Sequence, residues 1–538
     1  MNAVRPGVFF KIALIDIDPR VPNITTPYAM PRHGVLEVGT AASLAGHDVS
    51  VFCESVNGIP WGDLASFDVV GAAVTGSNLS RVEELFVRLR RVAPHVRLVA
   101  GGPHATLSPT EVARFCDVVV RDEGELAFPE VLLAFSNGAG LQGIEGISYA
   151  KDGYVHHNPR RAFKSSFGRV DDLSLVKGFA KRPVWADVLL RKKYPVGYAT
   201  TSRGCPFPCT FCYENMIGGT GFRRQPADVF IENVRRRRDF FGITHFWLAD
   251  SNFTTNPKHC EEIAQALVRA DLGCTFSALC RVDAGKRPRL LELLRRAGFV
   301  NVTLGMEATT DDRLLDLKKK QSVDEIGAAV RAMHNAGLSV MGLFMVGFDE
   351  DDETTADRIV DFCEAHEVDN MSIYCLTEYP ELPGRTLPRY RVCETDLDYY
   401  TGHHVTTFPL LLPPSALERS VFRALQRFYR PQKIWSNLRR GQLAEAFAGF
   451  GIRTILRELA AVSKAHCAKL EALEEPYYKA YGGSSDMKHG RLDLEHLRKH
   501  PIVRHPLRAD TLAGWDDPEP APRLVQLRQR PVRIASGA

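Results

Sequence analysis

No run of apolar residues approaches the roughly 18 needed to cross a bilayer as a helix, so no membrane span is expected in the 538 residues. Excess charge of one sign is also lacking. The chain carries 68 basic and 64 acidic residues, a net charge of +4, which gives no reason to expect nucleic acid or a membrane surface as a partner. One basic run, Arg235-Arg236-Arg237-Arg238, lies between Val229-Phe230-Ile231 and Asp239-Phe240-Phe241 and reads as a helix with a solvated basic face. The apolar stretch from Val8 to Ile17 is interrupted by Lys11 and Asp16 and has no small-residue cleavage site after it, so it reads as a buried strand and not as a signal peptide. The 12 cysteines are scattered without the paired spacing of a disulfide framework. A reducing, cytoplasmic setting is expected.

Three of those cysteines are not scattered. Cys205, Cys209 and Cys212 lie in Arg203-Gly204-Cys205-Pro206-Phe207-Pro208-Cys209-Thr210-Phe211-Cys212-Tyr213. Three thiolates at this spacing can hold three corners of a cubane iron–sulfur cluster, which normally takes four cysteine ligands. No fourth cysteine is near, which leaves one iron open to bind something else. Pro206 and Pro208 forbid a regular helix through the loop, and Gly204 allows a sharp turn. A structural zinc site would need a second cysteine or histidine pair, and none follows.

The run Cys205-x3-Cys209-x-Phe211-Cys212 resembles the signature of the radical S-adenosylmethionine (SAM) enzymes. The resemblance implies a [4Fe-4S] cluster whose fourth iron is chelated by SAM, and reductive cleavage of SAM to a 5′-deoxyadenosyl radical. An oxygen-sensitive cluster of this kind suits a cytoplasmic location, and it needs a low-potential electron donor, a flavodoxin or ferredoxin.

Ahead of this loop, residues 1–150 alternate short apolar runs with helical patterns. Ile12–Ile15, Val49–Phe52, Val69–Val74, Val96–Ala100 and Val118–Val120 read as strands, with helices over Gly34–Ala45 and Val82–Val92. The alternation predicts an α/β, doubly wound (Rossmann-like) parallel sheet that binds its ligand at the carboxyl ends of its strands. Those ends carry Thr75-Gly76-Ser77-Asn78, Gly101-Gly102-Pro103-His104 and Glu123-Gly124-Glu125. With Pro31-x-x-Gly34 and Leu44-x-Gly46-His47-x-Val49, they resemble the cobalamin-binding domain that precedes many radical SAM domains. The resemblance makes Thr75, Gly76, Ser77, Asn78, Gly101, Gly102, His104, Glu123 and Gly124 candidate cobalamin contacts. No Asp-x-His-x-x-Gly occurs, so no lower histidine ligand to cobalt is expected, and His104 reads as a loop or phosphate-side contact.

Residues 151–194 read as a linker. From 195 to 390 the alternation resumes, with strands at Val196–Thr201, His245–Asp250, Phe276–Cys280, Val300–Gly305, Ser339–Val346 and Met371–Tyr374. Six strands with crossover helices match the partial (β/α)6 barrel of the radical SAM fold, with active groups at the carboxyl ends. Each polar residue alone reads sooner as a helix cap or surface ion pair, but their shared position at such ends makes Asp250 and Glu307 candidate SAM contacts by resemblance. Tyr374 and Tyr379 are candidate substrate-side groups, as are the adjacent His403 and His404, which read equally as surface residues. Residues 391–500 shift to helical patterns and are expected to cap the barrel, and the Pro/Arg-rich segment 501–538 is expected to lack order.

A cobalamin module joined to a radical SAM barrel resembles the cobalamin-dependent radical SAM methyltransferases. The implied reaction is hydrogen abstraction by the deoxyadenosyl radical and methyl transfer from methylcobalamin to an unactivated carbon, or to a phosphinate phosphorus, of a small biosynthetic intermediate such as an antibiotic precursor. Ring contraction or oxidative cyclisation by the same architecture is the alternative.

Overall fold

The computed structural model describes residues 9–22, 32–164, 167–178, 196–377, 393–394, 396–409, 411–439, 443–481 and 524–526. Seven strands of the first module are β1 (Lys11–Asp16), β2 (Asp48–Cys53), β3 (Val69–Ala73), β4 (Arg97–Gly101), β5 (Val118–Val120), β6 (Ile147–Lys151) and β7 (Tyr154–His157). Their order is β7-β6-β5-β4-β3-β1-β2. The five strands β5-β4-β3-β1-β2 are parallel, and β6 and β7 add an antiparallel hairpin at one edge. The parallel strands read as unbroken apolar runs because helices cover both faces. In β1 the alternation is visible in the packing. Ile12 and Leu14 belong to one core with Phe128 and Val131, whereas Ala13 and Ile15 belong to another with Phe86 and Leu89.

The second module contributes β8 (Gly197–Ala199), then the short antiparallel pair β9 (Ser202–Arg203) and β10 (Arg223–Arg224). β11 (His245–Leu248), β12 (Thr275–Cys280), β13 (Phe299–Glu307), β14 (Ser339–Val346) and β15 (Asn370–Cys375) follow. The order β15-β14-β13-β12-β11-β8, parallel throughout, is the expected six-stranded partial barrel. Helices Pro414–Phe428, Pro431–Arg439 and Leu443–Tyr481 form the expected cap. Tyr429 fixes it to the last barrel strand, since its hydroxyl donates to Met371 O at 2.7 Å and accepts from Met371 N at 2.9 Å.

Three features differ from the sequence reading. The first sheet runs past residue 150 through the β6–β7 hairpin, and β16 (Leu524–Gln526), within the segment expected to lack order, pairs antiparallel with β7. The rest of 501–538 lies outside the described residues. The expected linker is partly built in, because Leu173, Leu175 and Val176 are buried and Lys177 N donates to Val51 O at 2.9 Å. The basic run is not a uniformly solvated face. Arg237 is buried, bonded to Asp171 and the Tyr198 carbonyl, and 2.7 Å from His33 Nδ1. A helix of the barrel is thereby tied to the start of the first module's first helix.

Candidate active site

A cavity of about 460 Å³ opens where the two modules meet at the carboxyl ends of their strands. Thr75, Gly101, Gly102 and Glu123 line one side, and Ser202 and Arg203 line the other. Close backbone packing shapes the first wall. Gly102 has φ +105°, and a Cβ there would lie 2.9 Å from Val74 O. Val74 N donates to Gly101 O at 2.7 Å, and His104 N donates to Val74 O at 3.1 Å. A side chain on Gly71 would meet Leu14 Cδ2 at 2.6 Å. This wall is a glycine cradle at the switch point of an open sheet, which suits a large flat ligand such as cobalamin.

Of the residues expected at the cobalamin site, Thr75, Gly101, Gly102, Glu123 and Gly124 reach the cavity. Gly76, Ser77 and Asn78 form a tight turn beside it, and Asn78 is fully buried. Its Oδ1 accepts from Thr75 N at 2.7 Å, while its Nδ2 donates to Ile17 O and Ala73 O, both at 3.0 Å. Asn78 therefore shapes the wall from behind. His104 is not a cavity-lining residue. It is buried with Nε2 3.1 Å from Glu111 Oε2, in the short helix that continues from the Gly-Gly turn.

The cysteine loop leaves β9 through Gly204 (φ +80°), where a Cβ would sit 2.2 Å from Gly221 O and 2.9 Å from both Gly218 O and Gly219 O. Only glycine fits this crossing. Cys205 N donates to Gly219 O at 3.2 Å, and Asn215 Nδ2 donates to Phe207 O at 3.1 Å, holding the loop open. All nine other cysteines are buried; Cys205, Cys209 and Cys212 alone are not. Three accessible soft donors on one loop suit an iron–sulfur cluster. In the metal-free chain, desolvation raises the Cys205 and Cys212 thiols, and bound iron would reverse that by stabilising thiolate.

Cations flank the loop's aromatic residues. The Arg281 guanidinium lies 3.9 Å from the Phe207 ring centroid and the Lys319 ammonium 5.8 Å from that of Phe211. Arg281 Nη2 donates to Lys319 O at 3.0 Å, and Lys319 Nζ donates to Glu307 Oε1 at 2.9 Å. Glu307 therefore sits at its strand end already paired, on a positive-φ backbone (+66°) that is strained for a non-glycine residue. Asp250 is likewise engaged. Its carboxylate accepts from Thr201 N at 2.6 Å, Ser202 Oγ at 2.7 Å and the Thr201 hydroxyl, pinning the strand that delivers the loop. Burial raises its pKa even so. Tyr374, next to last in β15, is half-buried, its ring 4.9 Å from that of His403. His403 and His404 are buried in the cap and not on the surface. Tyr379 lies outside the described residues.

Sequence reasoning missed the group that joins the two halves. Arg203, two residues before Cys205, donates to Glu123 Oε1 at 2.9 Å and Glu125 Oε1 at 2.6 Å, bonds Glu37, and stacks 4.2 Å from the Phe167 ring centroid. Arg223 Nη2 adds a bond to Glu123 at 2.8 Å, and His33 lies 3.1 Å from Glu37. Burial alone would raise the Glu37 carboxyl, but His33 and Arg203 outweigh it and hold the pKa at about 2. Arg203 stood in the quoted motif; its carboxylate partners are 78, 80 and 166 residues away in sequence.

Comparison with known proteins agrees with this geometry. The B12 binding domain profile matches residues 19–132 and the Radical SAM superfamily profile matches residues 200–363, together more than half of the chain. A protein of Pyrococcus horikoshii named as an uncharacterised methyltransferase is 28% identical over 71% of this chain and 83% of its own. The anaerobic magnesium-protoporphyrin IX monomethyl ester cyclase of Rubrivivax gelatinosus is 26% identical over 71% of this chain and 66% of its own. Among solved structures, the radical SAM methyltransferase TsrM of Kitasatospora setae, with cobalamin and [4Fe-4S] cluster bound, superposes with a TM-score of 0.58 at 17% identity, covering 70% of this chain and 77% of that one. The protein uses a [4Fe-4S] cluster, SAM and cobalamin. The chain belongs to the cobalamin-dependent radical SAM enzymes of the methyltransferase type.

Proposed function

We propose that this enzyme methylates an unactivated carbon, or a phosphinate phosphorus, of a small biosynthetic intermediate, in a pathway such as antibiotic assembly. The observation that carries this reading is the shared cavity. Its one wall is the glycine cradle of the first sheet, and its other wall includes Thr200, Ser202 and Arg203, from the segment that leads into Cys205. When bound, the cluster with SAM supplies radical chemistry and cobalamin supplies a methyl group. The chain's own residues position and enclose. Cys205, Cys209 and Cys212 hold the cluster, and Thr75, Gly101, Gly102, Glu123 and Gly124 border the cobalamin. Glu307 with Lys319 faces the SAM side of the loop, and Asp250 fixes the loop's origin. Tyr374 borders the substrate region. A flavodoxin or ferredoxin in a cytoplasmic setting fits the low potential such a cluster requires. No helix among the described residues is long and apolar enough to cross a membrane.

The test uses anaerobically reconstituted protein with cobalamin, a low-potential reductant, methyl-deuterated SAM and a small-molecule extract of the source cells, followed by mass spectrometry. A metabolite carrying the deuterated methyl group, with both S-adenosylhomocysteine and 5′-deoxyadenosine formed, is expected. Likeness to the cyclase favours a second reading, oxidative cyclisation. That reading is upheld, and methylation rejected, by substrate-dependent 5′-deoxyadenosine with neither labelled product nor S-adenosylhomocysteine.

A further inference from the structure

Far from the cysteine loop in sequence, three fully buried side chains from separate parts of the cap converge. His404 follows the turn at Gly402, Glu418 lies in helix Pro414–Phe428 and His466 in helix Leu443–Tyr481. His404 Nδ1 is 2.9 Å from Glu418 Oε1, and His466 Nδ1 is 2.6 Å from Glu418 Oε2. One ligand atom from each residue can be chosen so that all lie within 4.8 Å of one another. We propose that His404, Glu418 and His466 bind a divalent transition-metal ion of the zinc class, which staples the cap together.

Both imidazoles aim the same nitrogen at the same carboxylate, one at each oxygen. An ion about 2.0–2.2 Å from two ligand atoms at a tetrahedral angle leaves those atoms about 3.4 Å apart, so each imidazole would back away from the carboxylate by roughly half to one ångström to admit it. The outer shell is also built. His466 presents Nε2 to Glu394 Oε2 at 3.2 Å, and Glu394 is held by Lys469 Nζ at 2.7 and 2.9 Å. A carboxylate on the far nitrogen is what fixes the tautomer and orientation of a metal-bound histidine. Tyr399 stacks on His466 with ring centroids 4.4 Å apart, closing that side.

Charge accounting points the same way. Lys469 neutralises Glu394, while the buried Glu418 carboxylate accepts from Val405 N at 3.0 Å and otherwise faces the two imidazoles. Without an ion, a proton must lie between His466 Nδ1 and Glu418 Oε2, 2.6 Å apart. With an ion, His466 needs a proton only on Nε2, facing Glu394. Metal and proton thus compete for one atom, His466 Nδ1, and binding releases that proton. Complete burial keeps the fourth position of a tetrahedral ion away from solvent, which suits a structural role.

The site is tied to the barrel. Thr406, two residues from His404, has its hydroxyl 3.5 Å from Leu376 O, and Cys375 N donates to Gly402 O at 2.8 Å just past Tyr374. The ion would therefore anchor the cap where β15 ends.

The test counts zinc by elemental mass spectrometry in the full-length holoenzyme, where iron and cobalt are counted separately. One zinc per chain is expected after equilibration with zinc sulfate and gel filtration. Glu418→Gln and His466→Gln should lose it, and Glu394→Gln should weaken retention about 10–100-fold. Since the inner variants could fail to fold, Co²⁺ uptake by the unmodified holoenzyme after chelation gives a second readout, with ligand-field bands as the expected result. Holoenzyme that takes up neither Zn²⁺ nor Co²⁺, or folded variants that keep zinc at the level of the parent, would overturn the proposal and leave a proton-bridged ion network in its place.

Discussion

His403 and His466 are both buried in the cap and have opposite acid–base character. Burial lowers His403 from 6.5 to about 4, against the pull of the Thr401 carbonyl that its Nδ1 faces at 3.1 Å. The unfolded chain takes up that proton near pH 6.5, but the folded chain does so only near 4. Stability should therefore fall as pH drops through this window, by about 3 kcal/mol in all from this residue. Denaturant titrations from pH 7 to 4 should show the decline, and His403→Gln should flatten part of it. In the metal-free chain burial would lower His466, but Glu394 and Glu418 outweigh burial and raise it. Its contribution is complete below pH 6.5 and is lost as pH rises through its folded value. Zinc at His466 would abolish that alkaline loss, which the same titrations with and without chelator would detect.

Among secondary elements, the cysteine loop and the strand that launches it carry the sharpest expectations. Gly204→Ala places a methyl group against three backbone carbonyls. Iron content and visible cluster absorbance should collapse while far-ultraviolet circular dichroism is retained. Asp250→Ala removes the acceptor of three bonds from Thr201 and Ser202 and leaves buried donors unpaired, a loss of about 1–3 kcal/mol per group. It should lower the melting temperature and loosen the cluster together, whereas a residue that only contacts SAM would change SAM affinity alone. The cysteine spacing, the glycine turns and the strand periods were all legible in the sequence because each is a local pattern. The partners of Asp250 and Glu307 were not. Position at a strand end marks a residue as near the chemistry, but whether its carboxylate is already engaged depends on Thr201 and Ser202 in one case and Lys319 in the other, and spacing does not encode that pairing.

For the molecule as a whole, Arg203 and its three carboxylates are a central polar tie of the junction between the two modules. Arg203→Gln leaves Glu37, Glu123 and Glu125 without their shared cation. Removing one partner of a buried pair costs about 3–5 kcal/mol, and here the loss falls on the interface. Cobalamin retention on gel filtration should drop, and the electron paramagnetic resonance signal of the reduced cluster should broaden, although no cofactor ligand has been altered. The sequence disclosed two modules and their order, since each has its own periodicity. It did not disclose how they dock, because Arg203 and Glu37 are separated by 166 residues. The expected linker was misjudged for a related reason. Leu173, Leu175 and Val176 look like stray apolar residues until the β2 edge they cover is in place.

One hydrophobic cluster runs without a break from Ile12 and Phe128 of the first module to Phe230, Phe246 and Phe344 of the barrel module. The two halves, though matched by separate family profiles, are therefore not interchangeable cassettes. A chimera made by grafting a relative's cobalamin module onto this barrel would inherit a mismatched inner surface unless the helix Ala227–Phe241 travelled with it. The unit that could be exchanged with its inner surface intact is the fused pair.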